Sequence, residues 1–398
     1  MKRRILYVAS AVTVAAICQG PAGDIVERFR ARSIEAEKKG LAEPFKGVTT
    51  NGEVVPGLFG IKSTGVTTEP ARKAAEAFLS ALTPEQRSKT TFDIDDPEWR
   101  KWMNQHFYVR QGVSFKEMSE AQREAAISML RASLSAKGLQ LTRDIMRLNH
   151  TLGELTNNFV EYGEYFYHIT VMGQPSKTEP WGWQLEGHHL LVNYFVLGDQ
   201  VVMTPMFVGS EPVIAKEGKY KGTMILQDEQ KLGLALINGL SEAQQAKAIL
   251  EREKKRNNNQ SEAWKDNVVI PYAGLPVSEM NAQQQKQLLQ VVEAYVGNMS
   301  AGHAKIRMDE IRGQLDKTYF AWVGGTAPGS IFYYRIHSPV VLIEFDHQSA
   351  AGLRNVVPNP NLPNHEHVHA VMRTPNGNDY GKDLLRQHLA KHPHPHTH

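Results

Sequence analysis

Cysteine is almost missing from this chain: of 398 residues only Cys18 is one, and it lies within the first twenty or so. If that segment is removed, no thiol remains. A Cys nucleophile, an iron–sulfur cluster and a thiolate zinc site are then excluded, and the composition suits an oxidising compartment. Net charge is missing too. The formal charge is +3, but Lys2, Arg3 and Arg4 supply all of it and residues 1–22 hold no acid. The chain beyond residue 22 is formally neutral and lacks the basic footprint of a nucleic-acid binder. The single basic cluster, Lys254, Lys255 and Arg256 before three asparagines, reads as a solvated helix end and loop. No later apolar run is long enough for a membrane span. Phosphate loops, dinucleotide fingerprints, His-Glu-x-x-His helices and nucleophile-elbow serines are also missing, which argues against a nucleotide cofactor.

The features that are present begin with a secretory pattern. Lys2 to Arg4 form a basic start, Ile5 to Ile17 an apolar stretch, and small residues come after, with cleavage expected after Ala22 or Ala16. An uncleaved anchor is the alternative; a lipidated Cys18 is disfavoured by the bulky Ile17 before it. The expected location is periplasmic or secreted. About 375 residues then remain, enough for one large domain or two average ones.

Two stretches match at a spacing of about 160 residues, the length of a duplicated domain rather than a solenoid repeat. Gly112 to Gln122 resembles Gly274 to Gln284, and each leads through an N-capping Ser119 or Asn281 into an amphipathic helix. Tyr165 to Gly173 then corresponds to Tyr319 to Gly325, and Trp181 to Tyr194 to Phe332 to Phe345, both reading as hairpins. Gln200 to Phe207 and His365 to Arg373 close the halves. The expected fold class is α+β: an internally duplicated unit of helices followed by an antiparallel β-meander, with two halves related by a pseudo-twofold. The expected divisions are a signal peptide over 1–22, an extended segment over 23–67 draped on the surface, a first half over 68–215, a second half over 216–390, and a His-rich tail over 391–398. The first half opens on an extra helix from Thr68 to Arg87.

Three clusters carry chemistry. His188 and His189 come after Trp181, Trp183 and Gln184; on a strand only one of the two histidines faces a given pocket. His365, His367 and His369 recur with period two and share a strand face, a spacing that clamps a divalent metal; the bland alternative is a solvated surface strand. Glu344 and Asp346 share a face of an apolar strand and need a partner, either a metal or one of Arg335 and Arg373. Aligning the halves sets His188 and His189 against Pro339 and Val340, and Asn193 against Glu344. A composite site fed by both halves is therefore expected, with His188 or His189, His367 and His369 as ligands to zinc, iron or copper and Glu344, Arg335 and Arg373 in catalytic roles. Trp181, Trp183 and Gln184 would bind a small-molecule substrate or ligand. The terminal His-Pro repeat from His392 would bind metals loosely whatever the fold does.

At these residues the chain resembles the bacterial family of unknown function DUF3500. The marks are Tyr162-Gly-Glu-Tyr165, Gly173 to Ser176, Pro180 to His189, Leu342 to Asp346, His367 to Arg373 and Asn378 to Gly381, with Glu366 where asparagine is expected. The resemblance covers nearly the whole chain and implies no particular reaction. The readings that remain are a metal-dependent hydrolase or oxidase and, from another class, a non-catalytic module that grips a ligand or envelope partner in an aromatic groove.

Overall fold

The structure is a computed structural model that describes residues 21–392. The leader expected over 1–22 lies outside the described residues except for its last two positions, and the tail expected over 391–398 lies outside from 393 onward. Helix α1 (Pro21–Gly40) replaces the first part of the expected extended segment. Its Ala, Glu, Arg and Lys residues are strong helix formers, and a Glu35–Lys39 pair at 2.7 Å spans one turn. Residues 41–67 do run without regular secondary structure. The single helix expected over Thr68 to Arg87 is two, α2 (Glu69–Ala81) and α3 (Pro84–Thr90). Pro84 cannot continue a helix but is favoured at the start of one, and Thr83 with Gln86 forms a capping box there.

From α3 the chain enters β1 (Thr91–Phe92) and β2 (Val113–Ser114), then the helices α4 (Glu120–Ser133) and α5 (Ala136–Thr156). Strands β3 (Tyr167–Met172), β4 (Trp181–Gly187), β5 (Leu190–Leu197), β6 (Gln200–Val202) and β7 (Met206–Ser210) come next. The order then recurs: helices α6 (Gln227–Asn238) and α7 (Glu242–Ala248), strands β8 (Ile249–Glu251) and β9 (Leu275–Pro276), helices α8 (Ala282–Val296) and α9 (Ala301–Arg312). Strands β10 (Tyr319–Gly324), β11 (Phe332–His337), β12 (Leu342–Ser349) and β13 (Pro363–Arg373) complete the sheet, and α10 (Lys382–Lys391) ends the described chain.

All thirteen strands belong to one mixed sheet with the central order β1-β3-β4-β5-β7-β13-β12-β11-β10-β8. The two strand groups therefore meet edge to edge, β7 antiparallel to β13, with Met206 opposite Met372 at the seam. Details recur on either side. Ser119 and Asn281 each cap a helix in a box closed by Gln122 or Gln284. The Gln122 amide donates to Gln86 at 2.7 Å, and the Gln284 amide to Gln244 at 2.9 Å. Gly112 and Gly274 both have positive φ, and a Cβ at either would sit 2.1 or 2.2 Å from the Ile169 or Phe320 carbonyl oxygen, so only glycine fits.

Strand side chains alternate between the two sheet faces. One face is almost wholly apolar: Ile169, Trp183, Val192, Met206, Ala370, Phe345, Tyr334 and Trp322 pack with helix residues such as Leu130, Ile145, Leu288 and Val292 into the main core. The opposite face is covered by irregular chain and α10; beside a smaller apolar cluster of Leu191, Phe195, Phe207, Tyr380 and Leu384 it holds polar and charged side chains that are equally buried: Gln184, Glu186, Asn193, Arg335, Glu344, Asp346 and Arg373 are all below 5% exposed. Among the described residues, no helix is long and apolar enough to cross a membrane.

Candidate metal centre

The polar face converges at one end of the seam. His189 sits in the turn between β4 and β5, with φ of 60°, and its N–H donates to the Asn104 carbonyl at 2.9 Å. Its carbonyl in turn accepts from Gly209 N, which anchors the turn to β7. His367 and His369 lie on β13, two residues apart and thus on one face. Their Nε2 atoms are 2.9 Å apart, and His189 Nε2 is 3.0 Å from His367 Nε2. One nitrogen from each of the three lies within 4.8 Å of the others, so the trio could hold a metal ion. Gly209 lies beneath them opposite His369; a Cβ there would stand 3.2 Å from the His369 ring and 3.5 Å from that of His189, besides meeting the Val368 carbonyl at 2.5 Å.

The outer ring nitrogens fix the tautomers. His367 Nδ1 lies 2.7 Å from the Ser349 carbonyl, which can only accept, so Nδ1 carries the proton and Nε2 presents its lone pair. His369 Nδ1 donates to Glu262 at 2.7 Å. Burial works against charge on Glu262, but its His369 partner and the Asn259 amide outweigh it and hold the carboxyl below its usual range. His369 Nε2 is then the nitrogen that faces the other two histidines. Burial drives the His367 imidazole down to about 3 and that of His189 well below its ordinary value. The His189 and His367 rings are therefore neutral, as ligation requires.

His188 is turned elsewhere. Its Nδ1 meets the Asn149 side-chain oxygen at 2.8 Å, and its ring stacks on His189 at 4.0 Å. Tyr162 and His106 contact its ring at 5.5 Å each, and His106 pairs with Glu161 at 3.2 Å. One of the two adjacent histidines does face the site, but the cause is a tight turn and not strand alternation. His365 does not join its period-two partners: it is exposed and packs against His347. A bulge in β13 opposite His347–Ser349 breaks the alternation between His365 and His367.

The carboxylate and arginine residues expected to act catalytically hold a loop instead. Glu344 accepts from Gln260 N, Ser261 N, the Ser261 hydroxyl and Tyr333 OH, and Asp346 from Asn258 N and Asn259 N. Lys254, expected at a solvated helix end, is buried against Asp346 at 2.7 Å. Arg373 donates to the Ser261 and Glu262 carbonyls and pairs with Asp266 and Asp379 at 2.9 and 3.1 Å. Together they clamp residues 258–262, the segment that aims Glu262 at His369. Arg335 sits opposite Glu344 and donates to the Pro271 carbonyl, while its Nε is buried without a partner. Trp181 and Trp183 are fully buried on the apolar face, so they line no accessible surface. Gln184 is spent on the Trp99 carbonyl and Asn193.

Glu262, Gly209, Asn149, His106 and Glu161 carry no sequence signal of their roles. Glu262 belongs to an irregular polar loop without periodicity, and only the fold brings it to β13. The trio lines none of four surface clefts, one of them a cavity of about 230 Å³ near Val340 and Arg307. His189, His367 and His369 are 4–6% exposed, and Glu262, a quarter exposed, marks the nearest edge.

The chain is thus a mixed α/β protein with a buried histidine trio on the polar face of a large sheet. The family model of a protein of unknown function, DUF3500, matches residues 64–382, and the chain belongs to that family. All three histidines and Glu262 fall within the matched region. No curated protein and no solved structure matches the chain.

Proposed function

We propose that this is an exported, metal-dependent enzyme of the periplasm or secreted space in which His189, His367 and His369 bind one divalent transition metal. The observation that carries the proposal is the facing pair of nitrogens. His367 and His369 both turn Nδ1 to outer partners, so their Nε2 atoms face each other at 2.9 Å, with His189 Nε2 3.0 Å from that of His367. A divalent cation between them would engage both ring nitrogens at once. Nitrogens this far apart can each reach one ion at ~2.1 Å, with angles near 90°. Neutral imidazoles favour zinc, iron or copper over magnesium or calcium.

Three protein ligands leave an open position, the pattern of catalytic rather than structural sites. The metal would serve as a Lewis acid for a bound water, with hydrolysis as the outcome, or as a redox centre in an oxidase. Glu262 would orient His369 and raise its basicity. The low exposure restricts any substrate to a small molecule or to a reactive group presented at the Glu262 edge. We also infer that the two strand groups are duplicated halves related by a pseudo-twofold at the Met206–Met372 pair, which makes the site composite: His189 from the first half, His367 and His369 from the second.

A second reading is a non-catalytic metal clamp. The way the three residues tie the β4–β5 turn to β13 favours it.

Cobalt(II) titration followed by visible absorption tests the metal reading. Wild type should bind one equivalent with ligand-field bands, and the His189→Ala, His367→Ala and His369→Ala variants should each lose them. Saturation of all three variants like wild type would refute it. Turnover of small ester and phenol probes by the loaded protein would separate enzyme from clamp.

A further inference from the structure

If the halves are duplicated, as proposed above, the seam has two equivalent ends and only one carries the histidines. Strand register locates the other. Leu191 pairs with Phe207 and Val192 with Met206; in the second half Leu342 pairs with Arg373 and Ile343 with Met372. On this correspondence Val340 takes the place of His189, and the segment Gln200–Met203 takes the place of His367–His369. These residues are not scattered. Val340, Gln200, Val201, Val202 and Met203 all line the cavity of about 230 Å³.

The cavity differs in chemistry from its counterpart. Its floor is apolar, with Val201, Met203, Val340 and Met372, and it has no cluster of metal ligands among the described residues. Its wall is polar at one side. Arg307, 8% exposed, donates to the Val340 carbonyl and the Thr374 hydroxyl and pairs with Glu310 at 3.1 Å. Lys62 lies 4.0 Å from the same carboxylate, so two cations face one anion. Gln314 Oε1 is buried without a partner, and the Asn378 amide nitrogen donates to no protein acceptor among the described residues. Residues 60–62 cover the cavity: Lys62 N donates to Gln200 Oε1 at 2.8 Å, and the Gln200 amide donates to the Gly60 carbonyl at 3.0 Å. A cleft of this size admits a small organic molecule, since ~150 Å³ is enough to hold benzene.

We infer that this cavity is a second ligand site, for a small amphipathic carboxylate whose apolar body lies on Val201, Met203, Val340 and Met372 and whose head faces Arg307 and Lys62. It is the pseudo-symmetric counterpart of the metal centre, turned from metal to organic-anion binding.

Calorimetric titration of the full chain with hexanoate, and with neutral hexanamide, tests this. Hexanoate should bind saturably at one site, with hexanamide roughly tenfold weaker or more for want of the charge-assisted contact. Val340→Phe, which fills the floor, should abolish hexanoate binding and leave metal content unchanged. Lys62→Ala, at an exposed side chain, should weaken binding several-fold in a protein that folds normally. His189→Ala should lose metal and keep hexanoate, so failure of the metal reading is separable from failure here. No saturable hexanoate binding to wild type, equal binding of hexanamide, or wild-type binding by a folded Val340→Phe would each overturn the inference.

Discussion

The two faces of the sheet are equally buried and built on opposite principles. The helix-covered face is stabilised by apolar area and by stacked aromatics such as Trp322, Phe332 and Tyr334. The other face, under irregular chain and α10, keeps only a smaller apolar cluster and buries Glu344, Asp346, Arg373, Asp266 and Asp379 in a connected network. Buried charges seldom add stability over apolar residues of the same size, yet they fix geometry when every member is satisfied. The division of labour is plain: the apolar face holds the sheet, and the polar face aims Glu262 and the histidines.

That division is tested most severely at Arg373. Arg373→Met strands two buried carboxylates and releases the Ser261 and Glu262 carbonyls. It should cost about 3–5 kcal/mol in urea unfolding and take the metal site with it. On the other face, Leu288→Ala should cost about 2–5 kcal/mol and leave metal affinity untouched. Glu262→Gln inverts that pattern: metal affinity should fall roughly 10- to 100-fold in competition with a chelator, while stability falls by no more than about 1–3 kcal/mol.

A pH dependence also belongs to the polar face. Burial raises the Glu186 carboxyl from 4.5 to about 8, with Arg110 only partly offsetting it, and raises Glu98 to about 7. A folded state that holds these protons more tightly than the unfolded chain has their full contribution below about pH 4.5 and loses it as pH climbs towards 8. Thermal melts should therefore weaken across that window, and Glu186→Gln should flatten the decline.

Much of the apolar face was legible in the sequence, because alternation and hairpin turns record a half-buried strand directly. Ser119 and Asn281 announced their helices through capping chemistry. The trio was legible in part: period two placed His367 and His369 together, and alignment of the halves set the His188–His189 pair apart. Two things were not legible. The bulge that turns His365 away leaves no local signature, and although Trp181 to Tyr194 reads as a hairpin, the positive φ that aims His189 has no residue-type mark. The roles of Glu344, Asp346 and Arg373 were misread because a buried charge shows only that it needs a partner. Which partner it finds, here backbone N–H groups and carbonyls of residues 258–262, depends on contacts about 85–110 residues away in sequence, which no local pattern encodes.

Whether a metal ion lies between His367 and His369 decides the function proposed for this fold. Elemental analysis of the purified protein ending at Lys391, which removes the His-Pro tail, answers it when run beside the His367→Ala variant. The expected result is about one equivalent of zinc, iron or copper per chain in the wild-type protein and its loss from a variant that still folds. Wild-type protein that holds no metal even after incubation with all three ions would contradict it.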